Sequence, residues 1–519
     1  MHATFVTLGQ LFKFAFDATG ILPRKHSKED GLSFSEVRRL SKQIERLTKE
    51  EGDINRNSGE LIKSLVFELT GTIPNFKVNM AIGETLLDLF EVYSSVVRNE
   101  ATFLSQKESV RWFCKTHAIQ RLVLSITKHT IHFNISREEF FAPEEIDWYL
   151  PTLSEDGIIW PLQKVIEWIY SKCQTNRTQF HIPEDVNRST NPELRKNYEN
   201  AYKWATEKTF PSWHGLHKNF SDSIDNLNNA RESYHRSIST KEKESYLYIL
   251  FIARLSTSIG KQLNETYGSD FLMEMATLFK KHKDWLDIDT STFKQQVKSH
   301  IENIQKSEEE RNKIWWYAAQ DYWSMFKDRA EICSNTMDQI YRKNDFKIPE
   351  SYINPLINQF GYHSVLTIRD YLVKAEELVY PSEFPQALMR GLGLAKRASN
   401  LEEIDEYNDY IESFGLNFSL EWIVHWNRSV FYYRRNDFKD SFNHIQKAFQ
   451  LAKYAAGTNQ YELVNSYIEL SAKIDSWKTF KKGISWATYL GFKVRWLRDD
   501  EQTEENLRSV FERMKLVKY

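Results

Sequence analysis

The stretch Tyr432–Lys453, YYRRNDFKDSFNHIQKAFQLAK, leaves the chain few choices of fold. Phe438, Ser441, Phe442, Ile445, Ala448 and Phe449 recur at steps of three and four, which puts them on one face of a helix. Asn436-Asp437 ahead of them is a turn signal, and Tyr432–Arg435 reads as the end of a preceding helix. Two helices joined by so short a turn must bury their apolar faces against each other and against a neighbour.

The same pattern recurs on either side. Ser399-Asn400-Leu401 aligns with Asn436-Asp437-Phe438 at an offset of 37, and Asp475-Ser476-Trp477 follows at 39. Each copy has a polar turn, then a large apolar residue (Leu401, Phe438, Trp477), then an aliphatic or small residue ten positions on (Ile411, Ala448, Ala487). A repeat of this length means stacked helix pairs, each covering the next. A final helix over 503–517, with Leu507, Val510, Phe511 and Met514 on one face, caps the stack.

Over roughly 385–492 the chain resembles the tetratricopeptide repeat family. Asn436-Asp437-Phe438 stands where that family has Gly-Asp/Asn-Tyr. Ser441 and Ala448 take the small positions of the second helix, and Trp426 lies within a residue of the family's aromatic in the first. Ile404 and Phe480 depart from the pattern where a small residue is expected, and no turn carries Gly. The resemblance implies a surface that binds protein or peptide, and it does not imply catalysis.

The rest of the chain also reads as helical. Only 18 Gly and 12 Pro are present in 519 residues, too few for many tight turns. The expected class is all-α: a helical N-terminal region followed by a tetratricopeptide-like solenoid, with domains over 1–180, 181–380 and 381–519. Ser33 and Glu36 form a capping-box spacing ahead of a face made by Phe34, Val37, Leu40, Ile44 and Leu47. Helices are also expected over 1–16 and over 58–70, the latter with Leu61, Leu65, Val66 and Leu69, and Ser136/Glu139 is a further capping spacing. Half of the prolines fall within 141–220, which predicts shorter helices and ordered loops, with a hinge or boundary near 175–195.

Charge and cysteine content exclude several classes. With 69 basic and 71 acidic residues, the net charge of −2 does not mark a globally basic nucleic-acid binder. Cys114, Cys173 and Cys333 are scattered, so a reducing, cytoplasmic setting without a disulfide framework or structural zinc is expected. The longest apolar run, Tyr246–Ala253, is far short of the roughly 20 residues that span a bilayer.

Motifs for phosphate loops, dinucleotide binding, nucleophile elbows and zinc proteases are missing. Arg111 and His117, in RWFCKTH, match the spacing of the HEPN-type helical ribonucleases, a resemblance that would make them an RNA-cleaving pair. Six residues turn an ideal helix by about 240°, so the two share a face only if the helix is distorted. His129/His132 and His214/His217 have the three-residue step at which imidazoles share a metal, without a third ligand nearby; no metal or cofactor is expected. Asp284, Asp287 and Asp289 read as a solvated loop. Glu403 and His444, on second helices of adjacent repeats, are placed to face each other as a polar pair.

One surface stands out. Lys478, Lys481, Lys482, Lys493, Arg495 and Arg498 alternate with Phe480, Trp486, Tyr489, Phe492 and Trp496 in a stretch without an acid, and Arg434-Arg435 lies in the neighbouring copy. Cations neutralise phosphates and rings stack on unpaired bases, so this is a candidate DNA or RNA surface. A second, smaller basic cluster is Lys280-Lys281-His282-Lys283. Three readings follow: a non-enzymatic interaction subunit with a protein partner; a nucleic-acid-binding accessory component of a bacterial multiprotein system, antiviral defence being one setting; and a helical ribonuclease.

Overall fold

The computed structural model describes residues 5–21, 33–50, 59–61, 63–64, 67, 75–100, 103–135, 143–144, 147–183, 192–230, 237–303, 306–376, 381–397, 400–497 and 503–516. These are overwhelmingly helical, so the protein is all-α. Arg498, the Ser136/Glu139 cap and most of the helix expected over 58–70 lie outside the described residues.

In the N-terminal part, α1 (Leu8–Thr19) opens on a capping box of Thr7 and Gln10, and α2 (Phe34–Thr48) on the expected box of Ser33 and Glu36. Then come α3 (Phe76–Asn99), α4 (Gln106–Phe113), a π-helical turn (Cys114–Ala118) and α5 (Ile119–His132). The proline-rich stretch begins with a feature that the sequence reading missed, a hairpin of β1 (Thr152–Ser154) and β2 (Gly157–Ile159). It continues with α6 (Pro161–Lys172), α7 (Arg177–His181), α8 (Pro192–Ala205) and α9 (Trp213–Asn229).

Three long helices follow: α10 (Thr240–Tyr267), α11 (Ser269–Glu302) and α12 (Glu308–Lys343). Asp284, Asp287 and Asp289 belong to α11, not to a loop. The carboxylate of Asp289 accepts the N–H groups of Tyr362 and His363, both at 2.8 Å, so it tethers the next helices to α11. Those helices are α13 (Glu350–Phe360) and α14 (Tyr362–Glu376).

The C-terminal part is a row of helix pairs: α15 (Glu383–Arg397) with α16 (Leu401–Ser413), α17 (Asn417–Arg434) with α18 (Phe438–Ala452), and α19 (Gln460–Lys473) with α20 (Trp477–Tyr489). The last helix, α21 (Glu504–Leu516), packs on α19, and each helix from α16 to α20 packs on the one before it. The second helices start at Leu401, Phe438 and Trp477, and Ile411, Ala448 and Ala487 are fully buried. Asn436 and Asp475 both take a left-handed φ of 59°, the role that Gly has in such turns. Asn and Asp tolerate it because their short polar side chains bond locally.

The row does not stand alone. The largest core runs from Phe5 to Met514 and draws on all three stretches of the chain. The Phe5 N–H donates to the Tyr454 carbonyl at 3.1 Å, and the Gln460 amide donates to the Val97 carbonyl at 2.7 Å. Arg254 of α10 donates to the carbonyls of Ala18 and Pro211 at 2.7 and 2.9 Å, which ties α1 to the central helices. A second core joins α5, α11 and α12 through Val123, Phe279, Leu286, Ala319, Trp323 and Phe326.

Candidate functional site

The C-terminal helix pairs close tightly because small or polar residues sit where helices meet. Ser441 of α18 and Ser429 of α17 are buried, and each hydroxyl donates to the other's backbone carbonyl, at 2.8 and 2.9 Å. Ser429 was not singled out in the sequence, although its place opposite Ser441 is what lets the two backbones approach. In the outer copies the small residue moves. Phe480 is core, and close approach falls to Gly483, where a Cβ would stand 2.6 Å from Ile468 Cγ1. Beside Ile404, a Cβ on Gly391 of α15 would stand 2.4 Å from the Tyr407 hydroxyl.

The rings of the basic aromatic stretch serve this core. Phe480 and Trp486 are buried, Trp477 stacks on Phe480 at 5.4 Å, and Phe492 packs on Tyr461. Lys478, Lys481, Lys482 and Lys493 are exposed, and so is one ring, Trp496. In the adjacent copy, Arg434 and Arg435 are exposed at the end of α17. Arg434 donates to the Arg397 carbonyl at 2.7 Å, and Arg435 covers the Phe431 ring at 4.1 Å.

Arg495 is engaged by α19. Residues 491–497 leave α20 and cross the face of α19. Asn465, buried, accepts the Arg495 backbone N–H on Oδ1 at 2.9 Å, and its Nδ2 lies 3.3 Å from the Lys493 carbonyl. Its amide therefore holds donor and acceptor of one short segment by the main chain. Glu462, one turn earlier, pairs with the Arg495 guanidinium. Asn465 and Glu462 went unremarked in the sequence. The available signal was an Asn between Val464 and Ile468 in LVNSYIEL, a residue type that favours caps and turns over helix interiors.

Among the described residues no hydrogen bond or ion pair joins Glu403 to His444. The Glu403 backbone N–H donates to Asn400 Oδ1 at 2.8 Å, which makes it part of the cap of α16. His444 stacks on Tyr432, and its Nδ1 is 3.1 Å from Nδ1 of His425. Burial holds both imidazoles below the usual histidine value, His425 at about 4. One proton between two facing nitrogens makes one ring the donor and the other the acceptor.

Arg111 lies in α4, and His117 lies within the π-helical turn that follows it. Arg111 is exposed and covers the Phe271 ring at 5.3 Å. His117 accepts from or donates to the Thr116 hydroxyl at 2.7 Å and packs among Trp112, Phe113 and Tyr371; burial lowers it to about 4. Among the described residues no hydrogen bond or ring contact joins the two. His129 lies 3.2 Å from Asp88, which also accepts from Ser125 at 2.5 Å, while His132 packs on Trp316. Those donors hold Asp88 at about 2 although burial opposes them. Among the described residues no group of three or more metal-ligating side chains assembles, and no helix is long and apolar enough to cross a membrane.

No protein-family model, no curated protein and no solved structure matches the chain.

Proposed function

We propose that this chain is a non-enzymatic interaction protein whose C-terminal helical repeats grip an extended peptide of a partner protein. The observation that supports this reading is the hold of Asn465 and Glu462 on residues 491–497. A side-chain amide that pairs with both a backbone N–H and a backbone C=O holds a short segment by its main chain whatever its sequence, and the carboxylate beside it adds a preference for a cation. The chain's own segment acts as the resident ligand, at the high effective concentration of an attached peptide. A partner segment with a basic residue at the same place would exchange with it.

The test is a fluorescent peptide, GFKVRWLR, that repeats residues 491–498. Arg495→Ala loosens the resident segment, so the peptide should bind that variant and bind the unaltered chain at least tenfold more weakly. Adding Asn465→Ala should remove the binding. A peptide that ignores the Arg495→Ala chain, or binds equally without Asn465, overturns the reading.

A further inference from the structure

The bundle of α5, α11 and α12 is open at one end. A cavity of about 540 Å³ lies between the three helices, a volume suited to a small molecule. On α11, Lys283, Asp287, Lys294 and Lys298 follow one another at four, seven and four residues, which keeps them on one side of the helix. Arg311 and Trp315 of α12 face them, and Ile126, Thr127 and Ile131 of α5 complete the wall.

The lining is unbalanced in charge. Four cations meet two carboxylates, Asp287 and Glu302. Asp287 is shared: one oxygen holds Lys283 and the other lies 3.8 Å from Lys294. Among the described residues, Lys298 and Arg311 have no ion-pair partner. The C-terminal ends of α5 and α11 and the N-terminal end of α12 all meet here, so helix dipoles oppose one another and the side chains set the sign. The glutamates of the first turn of α12 are exposed outside the cavity, with Glu309 on Lys313 and Glu310 on Ser307. Burial holds the Lys294 ammonium below the usual lysine value, which Asp287 offsets only in part.

The rest of the lining is largely apolar. The Trp315 indole N–H donates to the Ile131 carbonyl at 2.6 Å, which fixes the ring beside Ile126, Ile135 and Ile301. Thr127 also lines the cavity. It is 4% exposed, and its hydroxyl is buried with no hydrogen-bond partner. A buried hydroxyl left without a partner is costly, and a polar ligand would satisfy it.

We infer that this cavity binds a nucleoside triphosphate. The phosphates would lie along Lys294, Lys298 and Arg311, and the base against Trp315 and the isoleucines, with Thr127 within reach of its polar edge. A group of cations and an apolar lining of one ring and several isoleucines, brought together in one cavity, match the two halves of that ligand and neither half alone.

Isothermal titration of the full chain with ATP, GTP, adenosine and pyrophosphate tests this. At least one triphosphate should bind, and more tightly than adenosine or pyrophosphate. Lys298→Gln and Arg311→Gln, both at exposed positions, should each weaken it roughly tenfold or more without shifting the melting temperature of the free protein. Thr127→Val should weaken triphosphate binding less. The inference is overturned if neither triphosphate binds, if pyrophosphate binds as tightly as they do, or if the double variant at Lys298 and Arg311 retains full affinity.

Discussion

Lys453, at the seam between the N-terminal helices and the repeats, and Lys294, in the α5–α11–α12 cavity, are both lowered by burial, yet their surroundings differ. Lys453 is pushed down to about 8, and its ammonium is fully partnered: Glu50 at 3.1 Å, the Trp486 ring 3.3 Å below it, and Tyr454 on the other Glu50 oxygen. Lys294 shares one carboxylate with Lys283 at 3.8 Å and faces open cavity. A buried charge with a complete set of partners holds a fold together. A half-exposed one with an incomplete set, such as Lys294, adds little to the stability of the free protein.

The sharpest way to break this comparison is at Glu50. Glu50→Gln leaves Lys453 buried without its counter-ion and should lower stability by about 3–5 kcal/mol, read from the denaturant midpoint. Glu50→Gln with Lys453→Met should recover most of that loss, because neither charge is then buried. A single variant that costs no more than an exposed substitution would show that the seam carries no charge burden. The pH dependence has a definite sign. The folded Lys453 value lies below the unfolded value of about 10.4, so between about pH 8 and 10 the unfolded chain binds more protons and this group makes stability rise with pH. Desolvation raises buried Tyr454 and half-buried Tyr489, so above about pH 10 their contribution has the opposite sign and stability falls.

Lys294 gives the contrasting result. Lys294→Gln should leave stability unchanged or raise it by up to about 1 kcal/mol, the gain being limited by the partial exposure of the side chain. Asp287 keeps Lys283 in the variant, so no carboxylate is orphaned. A loss above about 1 kcal/mol in thermal melts would place Lys294 with Lys453 as a structural cation.

The C-terminal helix pairs were legible because their signals are local. The helix starts at Leu401, Phe438 and Trp477 follow from turn residues and apolar spacing, and both act within a few residues. The missing turn glycines were legible as departures, and left-handed Asn436 and Asp475 explain them. The seam and the cavity were not legible. Glu50 meets Lys453 across some four hundred residues, and Lys298 and Arg311 come to line one cavity only through how α11 and α12 pack. The inward turn of the rings in the basic aromatic stretch was not legible, for a related reason. Spacing puts Phe480 and Trp486 next to lysines, but only tertiary burial says that the rings face inward while Lys481 and Lys482 face water. Clustered Asp284, Asp287 and Asp289 read as a loop because their partners, Lys294 in the same helix and the backbone of His363, cannot be seen from composition.

The exposed lysines complete the series at its small end. Lys478→Glu, Lys481→Glu, Lys482→Glu and Lys493→Glu each remove a solvated cation, so each should shift stability by no more than about 0.5 kcal/mol. With core rings unavailable for stacking, any affinity of this face for a single-stranded oligonucleotide should come from phosphate contacts alone. It should then fall steeply with salt, lose about one unit of salt slope per lysine reversed, and respond weakly to Trp496→Ala. Fluorescence anisotropy across a salt series measures both quantities. A Trp496→Ala loss larger than that of any single lysine would show that a base stacks there, and would return this face to the nucleic-acid reading that its sequence suggests.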